Sequence, residues 1–121
     1  MWRACRLVAD TGLHHYGWSR DEAAACFKEN TALSPLNIQT EVTRYIGWPG
    51  QATAYKVGEL KLLELRARAK EAMGESFDIR AFHDVVLGAG AMPLDALDQR
   101  VQDWIDDWGR VHANDLLQSA P

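Results

Sequence analysis

The sequence predicts an all-α protein, a single compact domain of about six helices arranged around one long central helix. Three observations support this fold class. Apolar residues recur at three- and four-residue spacing along most of the chain, helix-capping residues stand where that pattern breaks, and no segment alternates apolar with polar residues as a β-strand does. A chain of 121 residues is also the right size for one hydrophobic core.

The first helix is predicted over residues 1–16. Its apolar stripe consists of Met1, Cys5, Val8 and Gly12. The second helix begins after Ser19, which forms the signature of a capping box with Glu22 three residues later. This helix extends to about residue 30, and Trp18 is expected to pack on Ala23 at its start.

The third helix begins at Pro35, because proline lacks the N–H group that the first helical position leaves unpaired. Ser34 is its N-cap, and it ends near Ile46. Pro49 begins the fourth and longest helix, which extends to about Met73 and carries two adjacent apolar stripes that other helices should cover. The stripes are Tyr55, Gly58, Leu62, Leu65 and Ala69, and Val57, Leu60, Leu63 and Ala67.

Gly58 lowers the stability of this long helix by up to ~1 kcal/mol relative to alanine, so we expect another backbone to approach it closely. Asp78 caps a short fifth helix, and the sixth helix follows Pro93. Their inward positions are Ile79, Phe82 and Val86, and Leu94, Leu97, Val101, Trp104 and Trp108. The other side of the sixth helix is expected to be a solvated acidic surface of Asp95, Asp98, Asp103, Asp106 and Asp107. Residues 110–121 continue no apolar pattern and are expected to form a frayed tail.

Charge and composition exclude several partners. The net charge is -4 and no basic cluster occurs, so nucleic acid is not an expected partner. No run reaches the roughly 18 apolar residues of a membrane span, so no membrane partner is expected either. Cys5 and Cys26 lack CxxC spacing and a cysteine-rich context, so we expect buried reduced thiols and a cytoplasmic protein.

Signatures of a metal site and of a nucleophile are missing from the sequence. The His14-His15 pair lacks the further ligands that a zinc site requires, and no HExxH motif is present. Ser19 and Ser34 are explained as helix caps, and no GxSxG motif occurs. We therefore assign no metal ligand and no cofactor to this chain.

The most distinctive polar residues surround the corner Trp48-Pro49-Gly50: they are Arg44, Tyr45, Gln51 and Tyr55. In one interpretation they face a ligand. Arg44 would bind a carboxylate, Gln51 a peptide group, and a tyrosine hydroxyl would donate to developing oxyanion charge. In the other interpretation the corner is structural, with Arg44 paired to Glu41 or to helix-terminal carbonyls and both tyrosine rings packed.

Four stretches also carry a family resemblance: RLVADTGLHHYGWSRDEA at residues 6–23, EVTRYIGWPGQATAYKVGEL at 41–60, LRARAKEAMGESFDIRAFHDVVLGAGAMPLDAL at 65–97 and WI at 104–105. They resemble the carboxyl-terminal part of a large bacterial family catalogued as domain of unknown function eight-eight-five. Members of that family are similar to helical zinc metallopeptidases. The resemblance therefore implies a hydrolase that acts on peptides.

The zinc site implied for full-length members lies upstream, in an HExxPGHH-type helix followed by a glutamate on a second helix, and neither occurs in this chain. The resemblance further implies that a later helical segment holds the peptide and stabilises the tetrahedral intermediate. By motif, the candidates for transition-state stabilisation are His14, Tyr45 and Tyr55. The candidates for substrate binding are Arg44 and Gln51.

A chain without metal ligands is not expected to hydrolyse peptides alone. We interpret it as the substrate-side portion of a larger metallopeptidase-like fold: a fragment, a truncated product, or one partner of a split enzyme whose other partner is the upstream zinc-binding half. The alternative is a non-catalytic helical interaction module or partner subunit. Met1 falls inside the first helix, so that helix should lack neighbours and expose apolar surface, which a homodimer would cover.

Overall fold

The computed structural model describes the backbone of residues 1–118 and the side chains of residues 1–111. Within that part of the chain there are six α-helices and no strand, which confirms the all-α prediction. The helices are α1 (Trp2–His14), α2 (Arg20–Asn30), α3 (Pro35–Gly47), α4 (Ala54–Met73), α5 (Ile79–Leu87) and α6 (Leu94–Gln118). Short 3₁₀ turns at Gln51–Thr53 and Gly74–Ser76 precede and follow α4.

The predicted helix starts are confirmed at three caps. At the start of α2, Ser19 and Glu22 form both hydrogen bonds of a capping box. At the start of α3, the Ser34 side chain accepts a hydrogen bond from the backbone N–H of Asn37. At the start of α5, the Asp78 side chain accepts one from the backbone N–H of Arg80. Two boundaries differ from prediction. The helix α4 begins at Ala54 rather than Pro49, because the turn at Gln51–Thr53 takes up the intervening residues, and α6 continues to Gln118, past the expected start of a tail.

Backbone contacts divide the chain into a first unit, Met1–Glu59, and a second unit that starts at Leu60. In the first unit, α1 packs on α2, α3 and the turn at Gln51–Thr53. The expectation that the first helix lacks neighbours is therefore wrong, although Trp2 and Val8 are exposed on it. The core of this unit consists of Cys5, Ala9, Ala23, Ala24, Phe27, Ile38, Val42, Tyr45 and Ala52.

The second unit has a core of its own, formed by Leu65, Ala69, Met73, Phe82, Leu97, Val101 and Ile105. Asp98 is not simply solvated as expected. Its carboxylate accepts from Lys61 Nζ at 3.0 Å and from Arg68 Nη2 at 2.8 Å, so it joins α6 to α4. These ion pairs were not predicted, because the sequence pattern shows that one side of α6 is acidic but does not show which cations lie opposite that side.

The two apolar stripes of α4 are only partly covered. Leu65 and Ala69 of the first stripe are fully buried. In the second stripe, Val57 is 44% exposed and Leu60 and Leu63 are each 51% exposed. Tyr55 and Leu62 of the first stripe are exposed as well, at 44% and 37%. The expectation that other helices cover both stripes is therefore wrong for the second stripe and for this part of the first, within the residues whose side chains are described.

The two cysteines form a disulfide bond, so the expectation of reduced thiols is wrong. Packing of α1 on α2 places the Cys5 and Cys26 Cα atoms 5.6 Å apart, within the normal range for a disulfide. The prediction relied on local spacing and cysteine content. Neither of these reports on two distant cysteines that helix packing brings together.

Two glycines have opposite surroundings. A Cβ atom at Gly12 would overlap the Trp18 indole ring, because the chain turns back after α1 and lays that ring on the helix. At Gly58, no described atom outside the local helix lies within 4 Å of the Cβ position. The expected close approach of a second backbone at Gly58 is therefore wrong.

Replacement of these glycines by alanine should change stability in opposite directions. Gly58→Ala should raise the free energy of unfolding by roughly 0.5 to 1 kcal/mol, because alanine is the better helix former and meets no obstacle. Gly12→Ala should lower it by roughly 1 to 3 kcal/mol, because the indole ring must move. Urea denaturation of the two variants beside the wild type measures both changes, and a loss of stability in Gly58→Ala would contradict this account of α4.

Candidate functional site

One face of α1 carries polar residues at four-residue spacing: Arg6, Asp10 and His14. Residues spaced in this way lie above one another on a helix. Each of them bonds to α3 or to the corner that follows it. We call these three residues the polar stripe of α1.

The Glu41 carboxylate is the common acceptor for three donors. Its Oε2 atom accepts from Arg6 Nη2 at 3.0 Å, from Arg44 Nη2 at 3.1 Å and from the Tyr45 hydroxyl at 2.7 Å. Arg44 Nη1 in turn donates to Gln51 Oε1 at 2.7 Å. We call these five residues, Arg6, Glu41, Arg44, Tyr45 and Gln51, the Glu41 network.

The network has one acidic group and two guanidinium groups, and this balance sets the protonation of its members. Desolvation alone would raise the pKa of Glu41, but the hydrogen bonds from Arg44 and Tyr45 and the charges of Arg44 and Arg6 lower that pKa overall. Burial, followed by the bond to Glu41, raises the pKa of Tyr45. Glu41 is therefore an anion at neutral pH, while Tyr45 remains a neutral donor.

Tyr45 is closed off from solvent, with an exposed fraction of 1%. Its hydroxyl also accepts from Arg6 Nε at 3.1 Å. Solvent reaches the network instead through the side chains of Glu41, which is 20% exposed, and Arg44, which is 31% exposed. Any direct contact with a ligand would therefore involve Arg44 and Gln51 before Tyr45.

Asp10 holds the corner in place. It is 3% exposed, and its two carboxylate oxygens lie 3.0 and 3.1 Å from the backbone nitrogen of Gly50, which donates to them. Gly50 has a φ of 80°, in the left-handed region that favours glycine. A buried carboxylate and a glycine thus fix the turn that leads from α3 to Gln51.

His14 also contacts this region, through the backbone rather than a side chain. Its Nε2 atom lies 2.9 Å from the carbonyl oxygen of Tyr45. Because a carbonyl oxygen only accepts, Nε2 must carry the proton in this contact. His14 therefore helps to hold the end of α3, through a partly buried contact of a residue that is exposed as a whole.

Tyr55 lies beside two arginines of α1. The guanidinium carbons of Arg3 and Arg6 are 5.0 and 5.1 Å from the centre of its ring, and Arg6 also lies 4.8 Å from the centre of the Trp2 ring. These distances suit cation–π contacts. Tyr55 is 44% exposed, so it is the most accessible phenol among the candidate residues.

Three of the candidate residues, Arg44, Tyr45 and Gln51, thus belong to one network. His14 contacts the backbone of Tyr45, and the Tyr55 ring contacts Arg6 of the network. The pairing of Arg44 with Glu41 is the one foreseen for a structural corner. Sequence reasoning missed Arg6 and Asp10. Their four-residue spacing with His14, on a helix with a buried apolar side, was the available signal.

The described residues do not supply a metal centre. Among them, no group of three or more His, Cys, Asp or Glu side chains is arranged to hold an ion. A zinc ion therefore does not fit this part of the chain. None of the described helices combines the length and the apolar character needed to cross a bilayer.

Glu41→Gln should destabilise the protein in a pH-dependent way. Removal of the charge weakens three hydrogen bonds and should cost about 1.5 to 3 kcal/mol at pH 7. Because the folded-state pKa of Glu41 is lowered, its stabilising contribution is present above the unfolded value near ~4.3 and is lost as pH falls through the folded value. Urea denaturation between pH 7 and pH 3 should show the difference from wild type shrinking at the acidic end.

Glu59→Gln is the matched control, because Glu59 pairs with Lys56 at 2.8 Å on the surface and is about half exposed. Its loss should change the free energy of unfolding by no more than about 1 kcal/mol. Equal effects of the two substitutions, or a Glu41→Gln deficit that persists unchanged at pH 3, would show that the network contributes no more than a surface ion pair.

Comparison with known proteins identifies relatives of this chain. A crystal structure of a candidate lipoprotein from Colwellia psychrerythraea matches with a TM-score of 0.84 and 47% sequence identity, over 87% of this chain and 18% of that one. The chain thus corresponds to less than a fifth of that protein's length. The search of curated proteins found no match. The family model for bacterial proteins of unknown function, DUF885, matches residues 1–101. The chain therefore belongs to the DUF885 family.

Proposed function

We propose that this chain is the substrate-side helical portion of a zinc metallopeptidase-like protein. The observation that carries the proposal is the pair formed by Arg44 and Gln51, 2.7 Å apart at a partly exposed corner and oriented by Glu41. A guanidinium and an amide held side by side can bind the carboxylate and the peptide groups of an extended peptide. A purely structural ion pair does not require the amide.

The five candidate side chains have different roles in this proposal. Arg44 and Gln51 bind the peptide, since Arg44 keeps N–H groups beyond the two that it donates to Glu41 and Gln51. Tyr45 is a positioning residue that acts through Glu41. Tyr55 is the phenol that can reach a substrate directly, and His14 orients the end of α3.

The zinc chemistry belongs to another part of the proposed protein, because the described residues do not fit that ion. The contribution of this chain is therefore binding and orientation of the peptide. Its proposed partners are the upstream zinc-binding half and the peptide substrate. A homodimer through α1 is a further proposal, supported by the exposure of Trp2 at 38% and Val8 at 45%.

The half-exposed side chains of Leu60 and Leu63, on the part of α4 that belongs to the second unit, support a second candidate function, a non-catalytic interaction module. Exposed apolar side chains in a row along a helix are typical of a surface that packs against another protein segment. The same side chains are compatible with docking of the upstream half. A measurement of peptide hydrolysis therefore distinguishes the two functions, whereas a measurement of binding does not.

The proposed function predicts activity only in an assembled protein. The chain should be produced together with a polypeptide that carries an HExxPGHH-type segment, such as the corresponding upstream part of a longer family member, and a peptide library should be tested for zinc-dependent hydrolysis. Hydrolysis is expected in the assembly and not in this chain alone. In the active assembly, Arg44→Ala should raise KM and Tyr55→Phe should lower kcat, each by roughly tenfold or more, because each removes one charge-assisted or transition-state hydrogen bond.

Arg66→Ala is the control, since Arg66 is exposed on the same helix as Tyr55 and outside the network. It should leave both constants unchanged. An assembled, zinc-loaded protein that cleaves no peptide would refute the peptidase role and favour the interaction module. Activity that is insensitive to both Arg44→Ala and Tyr55→Phe would refute the assigned site.

A further inference from the structure

The disulfide lies directly beside the polar stripe of α1. Cys5 immediately precedes Arg6, the residue that donates to both Glu41 and Tyr45. Its partner Cys26 lies on α2, which packs on α1 and shares with it a buried core that includes Ala9 of α1 and Ala23 and Phe27 of α2. One side of α1 is thus bonded covalently to α2, while the neighbouring side makes the polar contacts that hold the corner.

The bond closes a loop of sequence separation 21, a length at which cross-linking appreciably restricts the unfolded chain. The fully buried apolar side chains that α1 contributes to this core, Cys5 and Ala9, are small and bury little apolar area each, so their packing stabilises the position of α1 only modestly. Loss of the cross-link should therefore loosen α1. Arg6, Asp10 and His14 would then lose their fixed positions opposite Glu41, Gly50 and Tyr45.

We propose that the Cys5–Cys26 disulfide is what keeps the Glu41 network assembled, and that the protein acquires it in an oxidising compartment such as the bacterial periplasm. Structural disulfides persist in such compartments, whereas the cytoplasm keeps thiols reduced. The earlier expectation of a cytoplasmic protein depended on reduced cysteines, a premise that the structure contradicts. This inference rests on the disulfide and the network alone and does not require peptidase activity.

The bond forms by thiol–disulfide exchange with a protein dithiol oxidase in its disulfide form. Cys5 is 1% exposed and Cys26 only partly buried, so the Cys26 thiolate is the accessible nucleophile. It attacks one sulfur of the oxidase disulfide and expels the other as a thiolate. The Cys5 thiolate then attacks Cys26 Sγ and releases the second oxidase thiolate. Two protons leave the cysteines and two electrons reduce the oxidase.

The test compares the full chain, exported to the periplasm, with the same chain treated with a phosphine reductant. Mass spectrometry after alkylation under denaturing conditions should find no free thiol before reduction and two after it. Reduction should lower the Tm of the first unit by roughly 10 to 20 °C. NMR titration of the Glu41 carboxyl should show its midpoint moving upward, toward that of an ordinary glutamate, when the bond is broken.

The Cys5→Ala/Cys26→Ala double variant is the control, and the reductant should leave its Tm unchanged. Should that variant fail to fold, the comparison of oxidised and reduced wild type still decides the question. Free thiols in the exported protein would overturn the proposed compartment. An unchanged Glu41 midpoint after complete reduction would overturn the coupling between the disulfide and the network, even if the Tm falls.

Discussion

The structure of the first unit depends on the partly buried carboxylate of Glu41. Glu41 accepts three hydrogen bonds at a single oxygen from Arg6, Arg44 and Tyr45, and these donors come from two helices. A partly buried anion is stable only when such donors surround it. The network therefore specifies how α1 and α3 meet, and it also leaves Arg44 and Gln51 side by side at the edge of the corner.

Helix type and helix starts follow from the sequence because they depend on local chemistry. Ser19, Ser34 and Asp78 cap their helices through hydrogen bonds within three residues, and such bonds can be read directly from spacing. The candidate residues around the corner were likewise recognisable as an unusual polar set. Their grouping was visible in the sequence, while their geometry was not.

Most of the contacts that escaped prediction involve distant partners. The Cys5–Cys26 bond, the pairing of Asp98 with Lys61 and Arg68, and the Asp10 contact to Gly50 join residues separated by 21 to 40 positions. Spacing rules contain no information about such pairs. The same limitation explains the error at Gly58, where a helix-weakening residue was taken to mark a close neighbour and the space proved open.

The spacing of contacts along α1 also implies an order of assembly as the chain folds. Its partners on α2 lie nearer along the chain than its polar partners, since Cys26 follows Cys5 by 21 residues whereas Glu41 follows Arg6 by 35 and Gly50 follows Asp10 by 40. Contacts that close shorter loops form with the smaller entropic cost. A helical hairpin of α1 and α2 can thus form first, and α3 and the corner that follows it can then dock on that hairpin.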